Sequence, residues 1–314
     1  MSVTLSSPTT TDRADPVAAI AEFMRGFSLE ATRPSADDVA DLAEIVPAGT
    51  HVYVSAVPKR PALEAIDAAT QLRKAGLEPV PHLAVRNFAM AGDLDDFLAR
   101  MSGEAAVRRL LVIAGDRDPP AGDFHSSLEV IDSGALQRHG ITEIGIAGYP
   151  DGHPRVPEQD LDRALAHKLR AAEATGMAVH IVTQFGFDAP ATVKWLVRLR
   201  DFGVEHPVRV GLAGPTNLST LLRYAQRCGV RASAQGLARQ AGLVRQLFAM
   251  SAPDALVRAL ARARADRHLG EIAPHFFSFG GLARTARWAQ AVAGRHIALE
   301  PGEGFRVEPP RGAD

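Results

Sequence analysis

The sequence predicts a single-domain α/β fold, an eight-stranded (β/α)8 TIM barrel. Short apolar runs alternate with amphipathic helical stretches along the whole chain, at spacings of roughly 25 to 40 residues. Most runs stop at a glycine, a proline or a polar residue, so polar side chains collect at one end of the predicted sheet. No run leads into the GxGxxG turn of a dinucleotide-binding open sheet, the competing arrangement. With 314 residues, 46% hydrophobic and 23% charged, the chain is an ordinary soluble globular protein large enough for one such barrel.

The elements follow in order. Residues 1–15 are rich in Ser and Thr and read as a disordered lead-in, so the barrel domain is placed over 16–314. Pro16 opens a short helix that Gly26 ends, and 27–31 (FSLEA) is strand one. Ser35 starts a helix with Val39, Leu42 and Ile45 on one face. Strand two is 51–57 (HVYVSAV), followed by a helix over 62–75 that Gly76 stops. Strand three spans 78–85, a helix lies near 94–101, and 110–113 is strand four, an unbroken branched-apolar run ending at Gly115-Asp116. A helix over 126–138 precedes strand five (142–147); a helix over 158–175 precedes strand six (178–183). A helix over 191–202 leads to strand seven (208–212), then extra helices over 218–227, 237–250 and 253–264. Strand eight is 276–279 (FFSF), and 283–292 is the closing helix.

Charge and cysteine content exclude several classes of function. A formal net charge of -1 gives no reason to expect a nucleic acid or an anionic membrane as partner. The single cysteine, Cys228, excludes an internal disulfide framework and fits a reducing cytoplasm. No apolar run approaches the ~20 residues of a membrane span, and no secretory signal is visible. The expectation is a cytoplasmic protein acting on a small molecule, with a homo-oligomer left open.

A barrel gathers the carboxyl ends of its strands on one face, where such folds keep their chemistry. Here that face collects Glu30, Ser55, His82, Asp116, Tyr149 and Gln184. Each alone has an ordinary structural use: a capping carboxylate, a bonded core histidine, a turn. Two carboxylates and an amide converging on one mouth point instead to a reaction, because carboxylates away from water need partners or a purpose. The 11 histidines form no HxH at a strand end and no HExxH, so no metal is expected. No strand carries an inward lysine for a Schiff base. Gly214 and Gly280-Gly281 resemble a phosphate cradle and support an alternative, a barrel enzyme acting on a phosphorylated small molecule.

Four motifs in order carry a resemblance: Pro81-His82-Leu83, Gly115-Asp116 with Pro119-Pro120, Tyr149-Pro150 with His153-Pro154, and Thr183-Gln184-Phe185 with Phe187-Asp188. Together with Ser28-Leu29-Glu30 before Arg33-Pro34, they resemble the methylenetetrahydrofolate reductase family over most of the chain. The resemblance implies a (β/α)8 barrel. It also implies hydride transfer between NAD(P)H, usually through FAD, and a C1-tetrahydrofolate, 5,10-methylenetetrahydrofolate being reduced to 5-methyltetrahydrofolate. It assigns Glu30 as a general acid held protonated near neutral pH. Asp116 becomes the counter-charge of a cationic iminium, and Gln184 a donor and acceptor for a flat heterocycle. Ser55, His82, Gly115, Tyr149 and His153 fall at flavin-contacting positions, and Leu218 and Phe279 at folate-contacting ones.

The chain also departs from that pattern. Ala114 stands where the family keeps an arginine before Gly-Asp, and Ala171-Ala172 where it keeps a basic pair for the flavin phosphates. Lys168 and Arg170 are close, and Lys168 is the better placed on a helix. Leu218 replaces a stacking aromatic, and Leu282 an arginine. FAD is therefore expected to bind weakly or not at all. A protein that binds folate or flavin without turnover is a further alternative.

Overall fold

The computed structural model describes residues 15–57, 62–228 and 250–308. Eight parallel strands close on themselves in chain order: β1 (Ser28–Ala31), β2 (His51–Val54), β3 (Glu78–Ala84), β4 (Arg109–Ile113), β5 (Glu143–Gly148), β6 (Ala178–Thr183), β7 (Val208–Ala213) and β8 (Ile272–Phe277). Closure is set by β1, where Ser28 pairs with His275 and Glu30 with Phe277 on one side, and Glu30 with Tyr53 on the other. The period of two then decides the environment of each residue. Leu29, Val52, Leu83, Leu110 and Val112 face the surrounding helices and form the main core with them. Tyr53, Val80, Leu111 and Val182 form a second, smaller core with Ile113.

The helices are α1 (Pro16–Met24), α2 (Ala36–Ile45), α3 (Ala62–Lys74), α4 (Ala91–Glu104), α5 (Ser127–Asp132), α6 (Ala135–Arg138), α7 (Glu158–Ala174), α8 (Ala189–Asp201), α9 (Leu218–Arg227), α10 (Asp254–Asp266) and α11 (Leu282–Ala293). Their starts are written locally. Asp15 accepts a bond from Val17 N–H, Ser35 and Asp38 form a capping box, and Asp188 caps α8 through Ala191 N–H. α1 packs against α10 and α11. After β7 the chain makes α9, and Thr216–Asn217 pairs antiparallel with Met250–Ser251.

Near the amino-terminal ends of the strands, ions replace hydrocarbon. Arg109 bridges Glu78 and Glu143, and Glu78 also holds Arg73. Glu143 Oε1 lies 2.9 Å from His180 Nδ1, and His180 Nε2 lies 2.7 Å from the Tyr53 hydroxyl. Gly145 makes this possible: a Cβ there would sit 2.8 Å from His180 Nε2.

Three expectations change. Strand eight runs over Ile272–Phe277, not 276–279; Pro274 reads as a breaker in sequence, yet it is buried inside the strand opposite Val210. The helix expected over 126–138 is two, because Gly134 adopts φ 71° between α5 and α6. Of the helix expected over 237–250, only Met250 is described, and it lies in a strand. Of the lead-in, residues 1–14 lie outside the described residues.

Candidate active site

Glu30 is the inward residue near the end of β1, and three strands deliver its partners. Ser55, just past β2, donates its hydroxyl to Glu30 Oε1 at 2.7 Å. His275 of β8 brings Nε2 to 3.4 Å from Glu30 Oε2, while its Nδ1 lies 2.9 Å from Ser28 Oγ. His82 of β3 places Nε2 at 3.6 Å from the same carboxylate oxygen. Tyr53 stands edge-on to His275, ring centroids 4.6 Å apart.

Burial works to raise the Glu30 carboxyl. The charge of His82, the hydrogen bond and charge of His275 and the Ser55 hydroxyl outweigh it and hold the carboxyl below its usual range. Burial pushes both imidazoles down, against the pull of Glu30. The sequence asks for a protonated acid here. The structure supplies a carboxylate with two imidazoles beside it, at 3.4 and 3.6 Å. His275 lies one residue before the strand the sequence predicts over 276–279, so the sequence does not point to it.

Asp116 follows Gly115, whose φ of 88° turns the chain over Ala84; a Cβ at Gly115 would sit 2.9 Å from that side chain. Asp116 is exposed. Burial, with the Asp116 charge adding to it, raises the Tyr149 hydroxyl. Burial lowers His153, next to an Arg155 that acts the same way and an Asp116 that opposes both. Tyr149 and His153 meet edge-on at 5.3 Å. Gln184, just past β6, is half-buried and uses its carbonyl to accept Phe185 N–H at 3.0 Å, leaving its amide NH2 for other bonds. Gln184 and Tyr149 line one shallow recess with Asp151 and Cys228. Asp151, not singled out in the sequence, is pushed up to about 6 by burial and by the Asp188 charge.

The β6–β8 side of the mouth is aromatic. Phe185 meets Phe187, Phe277 and Phe279 at centroid distances of 5.7, 5.3 and 5.0 Å. Phe279 lies in the turn beyond β8 rather than within the strand. Leu218, the first residue of α9, packs on this cluster, and so does Tyr224 one turn and a half later. The glycines that suggested a phosphate cradle have another reason. A Cβ at Gly214 would sit 2.6 Å from Thr285, and one at Gly280 would sit 2.0 Å from the Pro215 carbonyl oxygen. Among the described residues no His, Cys, Asp and Glu group could hold a metal ion, and no helix is long and apolar enough to cross a membrane.

With this geometry in hand, the sequence model for methylenetetrahydrofolate reductase matches residues 31–268, more than half of the chain. The chain belongs to the methylenetetrahydrofolate reductase family. It is 28% identical to methylenetetrahydrofolate reductase 2 of Saccharomyces cerevisiae over 158 residues, 48% of this chain and 26% of that one. It is 26% identical to the 5,10-methylenetetrahydrofolate reductase of Escherichia coli over 161 residues, 50% of this chain and 51% of that one. The matched stretch thus spans about half, or a quarter, of the relatives' length. Among solved structures, an uncharacterized protein from Clostridium thermocellum that binds two copies of 5-methyl-5,6,7,8-tetrahydrofolic acid shares the fold, with a TM-score of 0.56 at 11% identity, covering 88% of this chain and 96% of that one.

Within this family's barrel, the positions expected to hold FAD lie along two recesses of the mouth. Ser55 and His82 border a cavity on the β2–β3 side, whereas Tyr149 borders the recess beside Gln184. Ala172 is fully buried and Ala171 packs on the core, so neither position faces a ligand. Lys168 shares the inward face of α7 with Leu165 and Ala172, where burial alone lowers its ammonium, and Arg170 is exposed. These residues do not fit a flavin pyrophosphate.

Proposed function

We propose that the protein interconverts 5,10-methylenetetrahydrofolate and 5-methyltetrahydrofolate by hydride transfer directly with NAD(P)H. The observation that carries this reading is Glu30, bonded to Ser55 and His275 beside His82, at a mouth that also holds Asp116 and Gln184. Membership of the family supports it, and the folate-binding barrel of the same fold makes a reduced folate the first ligand to try.

The reaction consumes one proton and one hydride. Glu30 takes up a proton from solvent, with His275 and His82 beside it, and passes it to the ring nitrogen that must leave when the five-membered ring opens. The remaining nitrogen carries a cationic methylene, and the Asp116 carboxylate at the mouth offsets that charge. The hydride of NAD(P)H adds to the methylene carbon, which becomes methyl as the nicotinamide is oxidised. Gln184 offers its NH2 to the heterocycle, and the Phe185, Phe277 and Phe279 wall excludes water from the developing cation.

The test is NAD(P)H oxidation at 340 nm with 5,10-methylenetetrahydrofolate, using protein whose visible spectrum has been recorded. Folate-dependent oxidation without a flavin band near 450 nm is expected. Binding of 5-methyltetrahydrofolate with no oxidation, with or without added FAD, would make the protein a folate carrier instead. Stoichiometric FAD that persists in Lys168→Ala would return the flavin to the reaction.

A further inference from the structure

A cavity of about 270 Å³ opens on the other side of the Glu30 cluster, between the ends of β2 and β3 and helices α3 and α4. Ser55 and His82 form its boundary with Glu30. Ala65, Ala68, Phe88 and Phe97 supply apolar walls, and Arg33 and Asn87 stand among its polar groups. The apolar walls, Arg33 and Asn87 make no contact with Glu30 that would explain them.

We propose that this cavity receives the nicotinamide-ribose end of the dinucleotide, so that hydride donor and folate meet over Glu30 from opposite sides. The inference rests on the reading of direct hydride transfer. Without a resident carrier, two flat ligands must be bound at once, with reacting atoms within about 3.5 Å of each other. The barrel order β7-β8-β1-β2-β3 puts Glu30 between two recesses. One is the aromatic wall of β6 to β8, beside Gln184; the other is this cavity.

Size and chemistry agree with the assignment. Dinucleotide and drug-sized sites run from about 300 to 1,000 Å³, so 270 Å³ suits a nicotinamide with its ribose but not a whole dinucleotide. The pyrophosphate must then lie outside it, and Arg33 is the cation among the charged lining groups, which also include Glu64 and Asp93. Arg33 is exposed, carries no ion pair with the described residues, and holds φ at 51° immediately before Pro34, a conformation a non-glycine residue seldom adopts. Such strain is retained where the surroundings impose a position on a side chain. Within the cavity wall, His82 Nε2 is buried with only the ionic contact to Glu30 Oε2 at 3.6 Å and no hydrogen bond among the described residues, its side chain 10% exposed. A buried polar atom without a partner is uncommon, and a carboxamide offers one. The amide of Asn87 adds a second polar contact for the same group.

Two variants test this by NAD(P)H fluorescence titration, which needs no turnover, alongside calorimetry with 5-methyltetrahydrofolate. Ala68→Leu places three carbons in the cavity, and Arg33→Ala removes the guanidinium from an exposed loop where folding does not depend on it. Each should weaken NAD(P)H about ten- to a hundredfold, the weight of one charge-assisted contact or a filled subsite. Folate affinity should stay within about twofold of the parent. Unchanged NAD(P)H affinity in both variants overturns the assignment. So does wild-type protein that binds neither NADH nor NADPH, and so does a loss confined to folate, which would give the cavity to the substrate's acidic tail. Nucleotide binding that depends on Arg33 in a protein with no folate-dependent oxidation would support the site while refuting the proposed reaction.

Discussion

Tyr224 lies flat on Phe279, ring centroids 4.1 Å apart and planes 12° from parallel. One ring comes from α9, after β7, and the other from the turn after β8, so the pair ties two loops together across the aromatic side of the mouth. Leu218 stands where the family's stacking aromatic was expected, and Tyr224 supplies an aromatic six residues later. An offset stack contributes about 0.5 to 1.5 kcal/mol beyond its buried area. Tyr224→Ala should therefore lower 5-methyltetrahydrofolate affinity about two- to tenfold by calorimetry, and Tyr224→Phe should restore it. Equal affinities in all three proteins would detach Tyr224 from the ligand.

Glu30→Gln keeps the shape of the side chain and removes the carboxylate that relays the proton. Turnover should fall by about 10² to 10⁴, the usual contribution of acid catalysis, with folate affinity little changed. His275→Asn should give a smaller loss and move the acidic limb of the kcat profile, because His275 acts through Glu30. Full activity in Glu30→Gln would take the residue out of the mechanism.

Asp116 is exposed and shares no ion pair with the described residues, so Asp116→Asn should leave stability within about 0.5 kcal/mol. Turnover should nevertheless drop at least tenfold, since the cationic methylene loses its counter-charge. A lowered melting temperature with normal turnover would make Asp116 a loop-ordering residue only.

Stability should decline in acid in two stages. His51 is pushed down to about 4, chiefly by burial and then by Arg209, from an ordinary 6.5. Glu143 is held down to about 2, from 4.5, chiefly by its hydrogen bond with His180. Below pH 6.5 the unfolded chain therefore takes up a proton at His51 that the barrel refuses, and below 4.5 a second at Glu143. Both contributions are complete near neutrality and lost as pH falls, each by at most about 3 kcal/mol. Urea midpoints at pH 7, 5 and 3 should descend, and His51→Gln should make the first interval shallower, the buried His82, His180 and His275 keeping the rest of its slope. A midpoint constant between pH 7 and 4 would contradict the His51 assignment.

Most of the barrel was legible because buried parallel strands are written as unbroken apolar runs, and β4 and β6 were read almost to the residue. β8 was not, since Pro274 looks like a terminator until Val210 is seen beside it. That one slip concealed His275, and with it half of the hydrogen bonding around Glu30. Tyr224 was illegible for a different reason: its role depends on how α9 folds back over the β8 turn, a non-local relation that no spacing in the chain records. The separation of Ser55 and His82 from Tyr149 and His153 is likewise a matter of which side of the mouth each strand end faces.

Gly145 has a consequence for how this protein can change over time. The imidazole of His180 occupies the space a methyl group at Gly145 would take, so an alanine there should displace it from Tyr53 and Glu143 together. The reverse substitution would not rebuild the arrangement unless all three side chains were already present. The lower half of the barrel is thus locked in as a set, while loops at the mouth can vary one residue at a time. A lineage built on such a frame can exchange cofactor anchors and keep its fold.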